Sequence, residues 1–164
     1  MQIKSKNSNK DGSITEIIYN DAESFDSLKL KKVTQVYGVC FLNGKMVIVF
    51  NAKRKAWGLV GGSLEEQETY EECLKREVIE ETNMRVLNFY PVGYQEVSIP
   101  QKELIYQLRY VCSVEAIGPF IADPAGAITE VKLIDPKTYK EYFDWGEIGD
   151  HIIQRAFERQ YNLS

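Results

Sequence analysis

The chain has 164 residues, a mass of 18.9 kDa and a formal net charge of −4, with one histidine and three cysteines. An acidic chain without a basic block is a poor match for duplex nucleic acid, whose phosphates call for a basic face. No apolar run approaches the ~18 residues of a membrane-spanning helix and the polar start lacks a leader's apolar stretch, so no membrane span and a cytoplasmic setting are expected.

Taken in chain order, residues 1–12 read as a flexible N-terminal arm, followed by a single domain over 13–164. Ser13–Tyr19 suggests an edge strand. The run from Lys31 to Phe50 contains two β-rich stretches flanking Asn43-Gly44, the dipeptide suited to a type I′ hairpin. A basic loop, Lys53-Arg54-Lys55, leads to Trp57 and the paired glycines Gly61-Gly62. A helix is expected from about Glu68 to Thr82, then a strand from Arg85 to Ser98 interrupted near Pro91. Leu104, Tyr106, Leu108, Tyr110, Cys112 and Val114 alternate, the pattern of a half-buried strand. The stretch GPFIADPAGAIT reads as a loop and EVKLI as a strand. A short helix near Pro136–Tyr142 and a longer one from about Glu147 to Tyr161 close the chain. The sum is one α/β (α+β) domain built on a mixed sheet.

The cysteines, Cys40, Cys73 and Cys112, form no C-x-x-C pair and read as reduced core residues. His151, the one histidine, lies in the C-terminal helix as a surface or packing residue, which excludes a multi-histidine metal site. Any chemistry therefore falls to carboxylates.

Those carboxylates crowd the helix. With Glu77 at zero and about 100° per residue, Tyr70, Cys73, Leu74 and Val78 define one apolar face. Glu77 and Glu81 fall in the middle of it and Glu80 at its edge. Glu71 and Glu72 fall on the opposite side, as an ordinary solvated face. Glu68 suits the helix N-terminus. Two acids one turn apart repel each other, and more so on an inward face. A cation resolves that conflict, and an oxygen-only ligand set suits magnesium or manganese. Arg76, four residues before Glu80, can brace that carboxylate. Gly61-Gly62 lets a main-chain carbonyl approach the same place, and Lys53, Arg54 and Lys55 could meet substrate phosphates.

Gly62, five residues, Glu68, seven residues, then Arg76-Glu77-Val78-Ile79-Glu80-Glu81, with Met84 in the last apolar position, resembles the box G-x5-E-x7-R-E-U-x-E-E-x-G-U of the Nudix (MutT-like) hydrolases. The box spans residues 62–84. Its final glycine is Asn83 here, the next-best residue for a left-handed C-cap. The resemblance implies an α/β/α sandwich around a mixed sheet. It implies hydrolysis of a pyrophosphate bond in a nucleoside diphosphate linked to another moiety, with magnesium or manganese and metal-activated water, and a small nucleotide-type partner. Glu77 and Glu81 would be the principal metal ligands, with Glu80 and the Gly61 carbonyl contributing, and Arg76, Gly62 and Glu68 would orient them. The general base would be Glu80 or Glu81, or Glu130 beyond the loop. Pro100, sixteen residues after the box, tilts the substrate toward the ADP-ribose or nucleotide-sugar type ahead of a nucleoside triphosphate. Trp57, Tyr94, Tyr106 and Tyr110 are candidates for base stacking or for the core. A homodimer is common in the family. A fold that binds a nucleotide without cleaving it is the alternative, and the complete box argues against it.

Overall fold

The computed structural model describes residues 1–163. Nine strands form one sheet: β1 (Gln2–Ser8), β2 (Ile14–Asp21), β3 (Val33–Leu42), β4 (Lys45–Asn51), β5 (Ala56–Gly58), β6 (Val60–Ser63), β7 (Met84–Ser98), β8 (Ile105–Ala116) and β9 (Ile128–Ile134). Their order is β1-β2-β7-β8-β3-β4-β5, with β6 paired to β3 and β9 to β4. Only the β3–β8 pair is parallel, which makes the sheet mixed. Helix α1 (Tyr70–Thr82) covers one face over a core that includes Val36, Cys40, Val47, Leu74 and Leu108. Helix α2 (Gly146–Arg159) covers the other, over Val39, Phe41, Ile48, Val111 and Ile152. This is the expected α/β/α sandwich.

Local chemistry explains the punctuation. Asn43 and Gly44 both take positive φ, 50° and 77°, and join β3 to β4 as the I′ hairpin requires. Thr69 caps α1 in a full capping box, accepting from the Glu72 N–H while the Glu72 side chain accepts from the Thr69 N–H. Helix α1 therefore begins at Tyr70, and Glu68 lies in the preceding turn. At its end Asn83 adopts the left-handed conformation (φ 53°, ψ 39°) and its N–H donates to Ile79 O at 3.0 Å, so asparagine does the work of the missing glycine. Pro91 interrupts the β7 ladder, and the β7–β8 register shifts between Pro91 and Gly93.

Four expectations change. Residues 1–12 are not a loose arm. Gln2–Ser8 pair antiparallel with Ile14–Asn20, forming the sheet edge, and Ile3 is buried. Polar alternation around a single apolar residue hid that strand. The strand begun at Ser13–Tyr19 is accordingly second from the edge rather than at it. The β8 strand is buried on both faces from Leu108 to Cys112, because helices lie on both sides of it. The last two helices are a 3-10 segment at Pro136–Glu141 and α2. Among the described residues no helix is long and apolar enough to cross a membrane, and Cys40, Cys73 and Cys112 are free and buried.

Candidate active site

The site forms where β6 enters the α1 segment. Tyr37 of β3 pairs with Gly61 and Val36 with Gly62, which fixes the glycine turn against the central sheet. Neither glycine has room for a side chain. A Cβ on Gly61, whose φ is +152°, would meet Val36 O at 2.3 Å, and one on Gly62 would meet Glu77 Oε1 at 2.6 Å. The Gly62 position is therefore cleared for the Glu77 carboxylate.

The helical wheel is realised. Glu81 is 5% exposed and accepts a hydrogen bond from the Gly61 N–H at 2.8 Å. Burial pushes its pKa up to about 8, with repulsion from Glu77, Asp123 and Glu80 adding to the shift and the Gly61 bond opposing it. Burial also raises Glu77, against the pull of Arg76, and Glu80 and Asp123 raise it further. Two inward carboxylates one turn apart thus lack enough positive charge from the chain itself.

Arg76 is the hub of the supporting network. Its Nε donates to Glu68 at 2.6 Å, Nη1 to Glu77 at 3.0 Å and to Glu80 at 3.2 Å, and Nη2 to the Ser63 carbonyl at 3.0 Å. Its partner Glu68 is held below the usual carboxylate range mainly by that bond, and accepts from the Glu65 N–H at 2.9 Å. A planar fork with several donors can tie loop, turn and helix together in this way; an ammonium could not. The expected Arg76–Glu80 brace is present, and Glu68 and Glu77 share it.

Other expected residues are distributed unevenly. Lys53, Arg54 and Lys55 sit exposed on the β4–β5 turn, organised by Asn51 Oδ1, which accepts from the Lys53 and Arg54 N–H groups at 3.0 Å. Lys53 Nζ reaches Ala125 O at 3.5 Å, which puts this turn beside the β8–β9 loop. Trp57 lies on the α2 side, against Phe50 and Tyr142 and under Lys132 at 5.1 Å. Glu130 is exposed on β9 and pairs with Phe50, on that same side, so the structure does not bring it to Glu77 and Glu81. Tyr106 and Tyr110 are core residues, 5% and 2% exposed. His151 is a packing residue: its Nε2 lies 2.8 Å from Asp21 Oδ1, with its ring edge-on to Tyr19.

The acid that the loop does bring to the site is Asp123, 8% exposed, whose charge acts on both Glu77 and Glu81. Its carboxylate accepts from the Ala125 and Ile128 N–H groups, both at 3.0 Å. The Asp-Pro-Ala-Gly sequence at 123–126 is the turn signal that could have marked it.

The donor set fits a divalent cation of the magnesium type. It offers only oxygens, among them those of the buried Glu81 and the half-buried Glu77, both with raised pKa, next to a main-chain turn. Among the described residues no three such groups already converge into a cage; Arg76 holds both oxygens of Glu68 and one each of Glu77 and Glu80. A cation that keeps several waters needs no complete protein cage.

Comparison with known proteins agrees with this geometry. The chain belongs to the NUDIX domain family, whose model matches residues 32–155. Family, fold and the intact carboxylate set make it a Nudix phosphohydrolase by class. Among solved structures it is similar to the Bacillus subtilis pyrophosphohydrolase BsRppH, with 17% identity, a TM-score of 0.69, and 98% of this chain and 99% of that one covered. A NUDIX hydrolase from Nitrosomonas europaea is 18% identical, with a TM-score of 0.63 over 76% of this chain and 88% of that one. An ADP-ribose pyrophosphatase from Streptococcus suis is 13% identical, with a TM-score of 0.53 over 77% and 90%. At such identities the likeness concerns the fold. No match is found among curated proteins.

Proposed function

We propose that the protein hydrolyses a pyrophosphate bond in a nucleoside diphosphate linked to another moiety, with magnesium or manganese at Glu77 and Glu81. The observation that carries this reading is the pair of inward carboxylates, both with raised pKa, that the chain leaves short of positive charge. Glu80 and the Gly61 carbonyl complete the ligand set. The bound cation would supply charge neutralisation for the pyrophosphate and acidify a water.

The chain's own residues do the positioning. Arg76 and Glu68 hold the helix start against Ser63, so that Glu77 faces the cleared Gly62 position. The Gly61 N–H fixes one Glu81 oxygen and leaves the other free. Glu80, bonded to Arg76 through Oε2, keeps an oxygen to accept a proton from attacking water. Lys53, Arg54 and Lys55 attract the anionic substrate from beside the Asp123 loop. ADP-ribose or a nucleotide sugar is the favoured substrate, with Pro100 as its sequence mark and a nucleoside triphosphate next. The three free cysteines support a reducing, cytoplasmic setting.

The test is a metal-supplemented screen of ADP-ribose, nucleotide sugars, nucleoside triphosphates and dinucleoside polyphosphates, with product analysis in labelled water. Turnover that disappears in Glu77→Gln and Glu81→Gln is expected. Full activity in both variants would remove the site assignment, and tight binding without turnover by the wild type would make the protein a nucleotide-binding variant of the fold.

A further inference from the structure

The face of the sheet opposite α1 carries a charge that the proposed chemistry does not use. Arg109 of β8 is 6% exposed and makes no ion pair among the described residues. Its Nη1 donates to Leu108 O at 3.1 Å, its Nη2 reaches Gln107 Oε1 only at 3.4 Å, and its Nε has no partner. The guanidinium stacks on the Tyr37 ring at 4.8 Å. Burial lowers its pKa to about 10, so it remains charged at neutral pH. A buried guanidinium without a counter-ion is costly, and an acceptor supplied from outside removes that cost.

Strand register shows where such an acceptor would come from. Arg109 pairs with Tyr37, and Tyr37 with Gly61, so one row runs from the arginine to the turn of the candidate active site. The adjacent row is Gln95, Gln107, Gln35 and Ser63, in register across β7, β8, β3 and β6. In-register side chains share a face. Three neutral amides therefore flank one arginine; the carboxylate in its own row, Asp21, stands two strands away across Gly93 and is engaged by His151 and Arg155. Gln35, Tyr37 and Gln107 are partly exposed, so the strip opens to solvent. Arg109 stands two strands from Gly61, about 10 Å, on the order of the span from a nucleotide's phosphates to its base.

We propose that Arg109 is a specificity-determining residue whose free Nε and adjacent Nη2 donate to a two-acceptor edge of the substrate, with Gln107 swinging aside from its long contact. The proposal rests on the nucleotide reading above. A 6-oxopurine O6/N7 edge and a phosphate both offer that chemistry. The neutral amides and the separation favour the base.

The experiment is calorimetric titration of the full chain with GMP, IMP, AMP and ribose 5-phosphate in EDTA, using wild type, Arg109→Met and Gln107→Glu. Gln107→Glu supplies Arg109 with an internal carboxylate. Wild type is expected to prefer GMP and IMP over AMP by about tenfold, and both variants to lose the preference while keeping or raising their Tm. An equal loss of ribose 5-phosphate affinity would assign the edge to the phosphate, within the same proposal. Equal affinities in wild type and variants, or no binding of any of the four by wild type, would overturn it. So would a lower Tm in Arg109→Met with the binding ratios intact, the mark of a structural role. Failure of turnover on every substrate would remove the hydrolytic reading without touching these ratios.

Discussion

The two faces of the sheet draw in opposite ionisable groups, and neither face fully compensates its own. On the α1 side Glu77 and Glu81 lie inward with raised pKa, and Arg76 reaches Glu77 but makes no bond to Glu81. On the α2 side Arg109 lies inward with no carboxylate beside it. The central strands keep the two sites from neutralising each other. An unpaired buried charge is destabilising, so on the reading proposed above a cation would serve the acids and an acceptor-bearing edge of the same substrate would serve Arg109. The helices differ accordingly. Helix α2 buries an apolar row, Ile148, Ile152, Ile153 and Ala156, whereas α1 gives part of its buried face to Glu81.

The largest expected effects break the acidic side. Glu77→Gln and Glu81→Gln should each lower kcat/KM by at least about 100-fold and abolish the rise in Tm on adding magnesium, both read on purified protein. Next comes Asp123→Asn, expected to cost about tenfold in kcat/KM, against less than about threefold for Glu130→Gln. Equal effects would contradict the different placements of these acids.

A pH series sharpens the same contrast through stability. The folded-state pKa of Glu81 is raised from 4.5 to about 8, so the native state binds more protons than the unfolded chain between those values. The Glu81 contribution to the stability of the metal-free protein should therefore be fully present below about pH 4.5 and be lost as pH rises toward 8, by about 2–4 kcal/mol. Denaturant melts across that range should lose most of this slope in Glu81→Gln, and saturating magnesium should flatten it in wild type. The smallest change lies outside both faces. Asn83→Gly should alter stability by less than about 1 kcal/mol, since glycine suits the left-handed cap while the Asn83 bond to Pro119 O is lost.

Much of the acidic side was legible in the chain. Glu77 and Glu81 fall among apolar neighbours on a helical wheel, Asn43-Gly44 marks a hairpin, and Asn83 marks a C-cap. Each is a local relation spanning a few residues, where periodicity and backbone preference decide. Glu130 was expected at the site only through its resemblance to a family glutamate that follows a loop, but strand pairing sets it opposite Phe50, and the acid whose charge acts on Glu77 and Glu81 is Asp123. Gln2–Ser8 were hidden for a related reason. Their order comes from pairing with β2 rather than from their own apolar content.

The sequence by itself determined the family, the acid-bearing helix and the carboxylates that share its inner face, because those are properties of spacing along one segment. Only the tertiary structure decided that Arg76 would bind Glu68, Glu77 and Ser63 together with Glu80, that Asp123 would join the acids, and that Arg109 would be buried without a counter-charge. Those outcomes depend on register between strands distant in sequence, and on which groups the packed layers shut away from water.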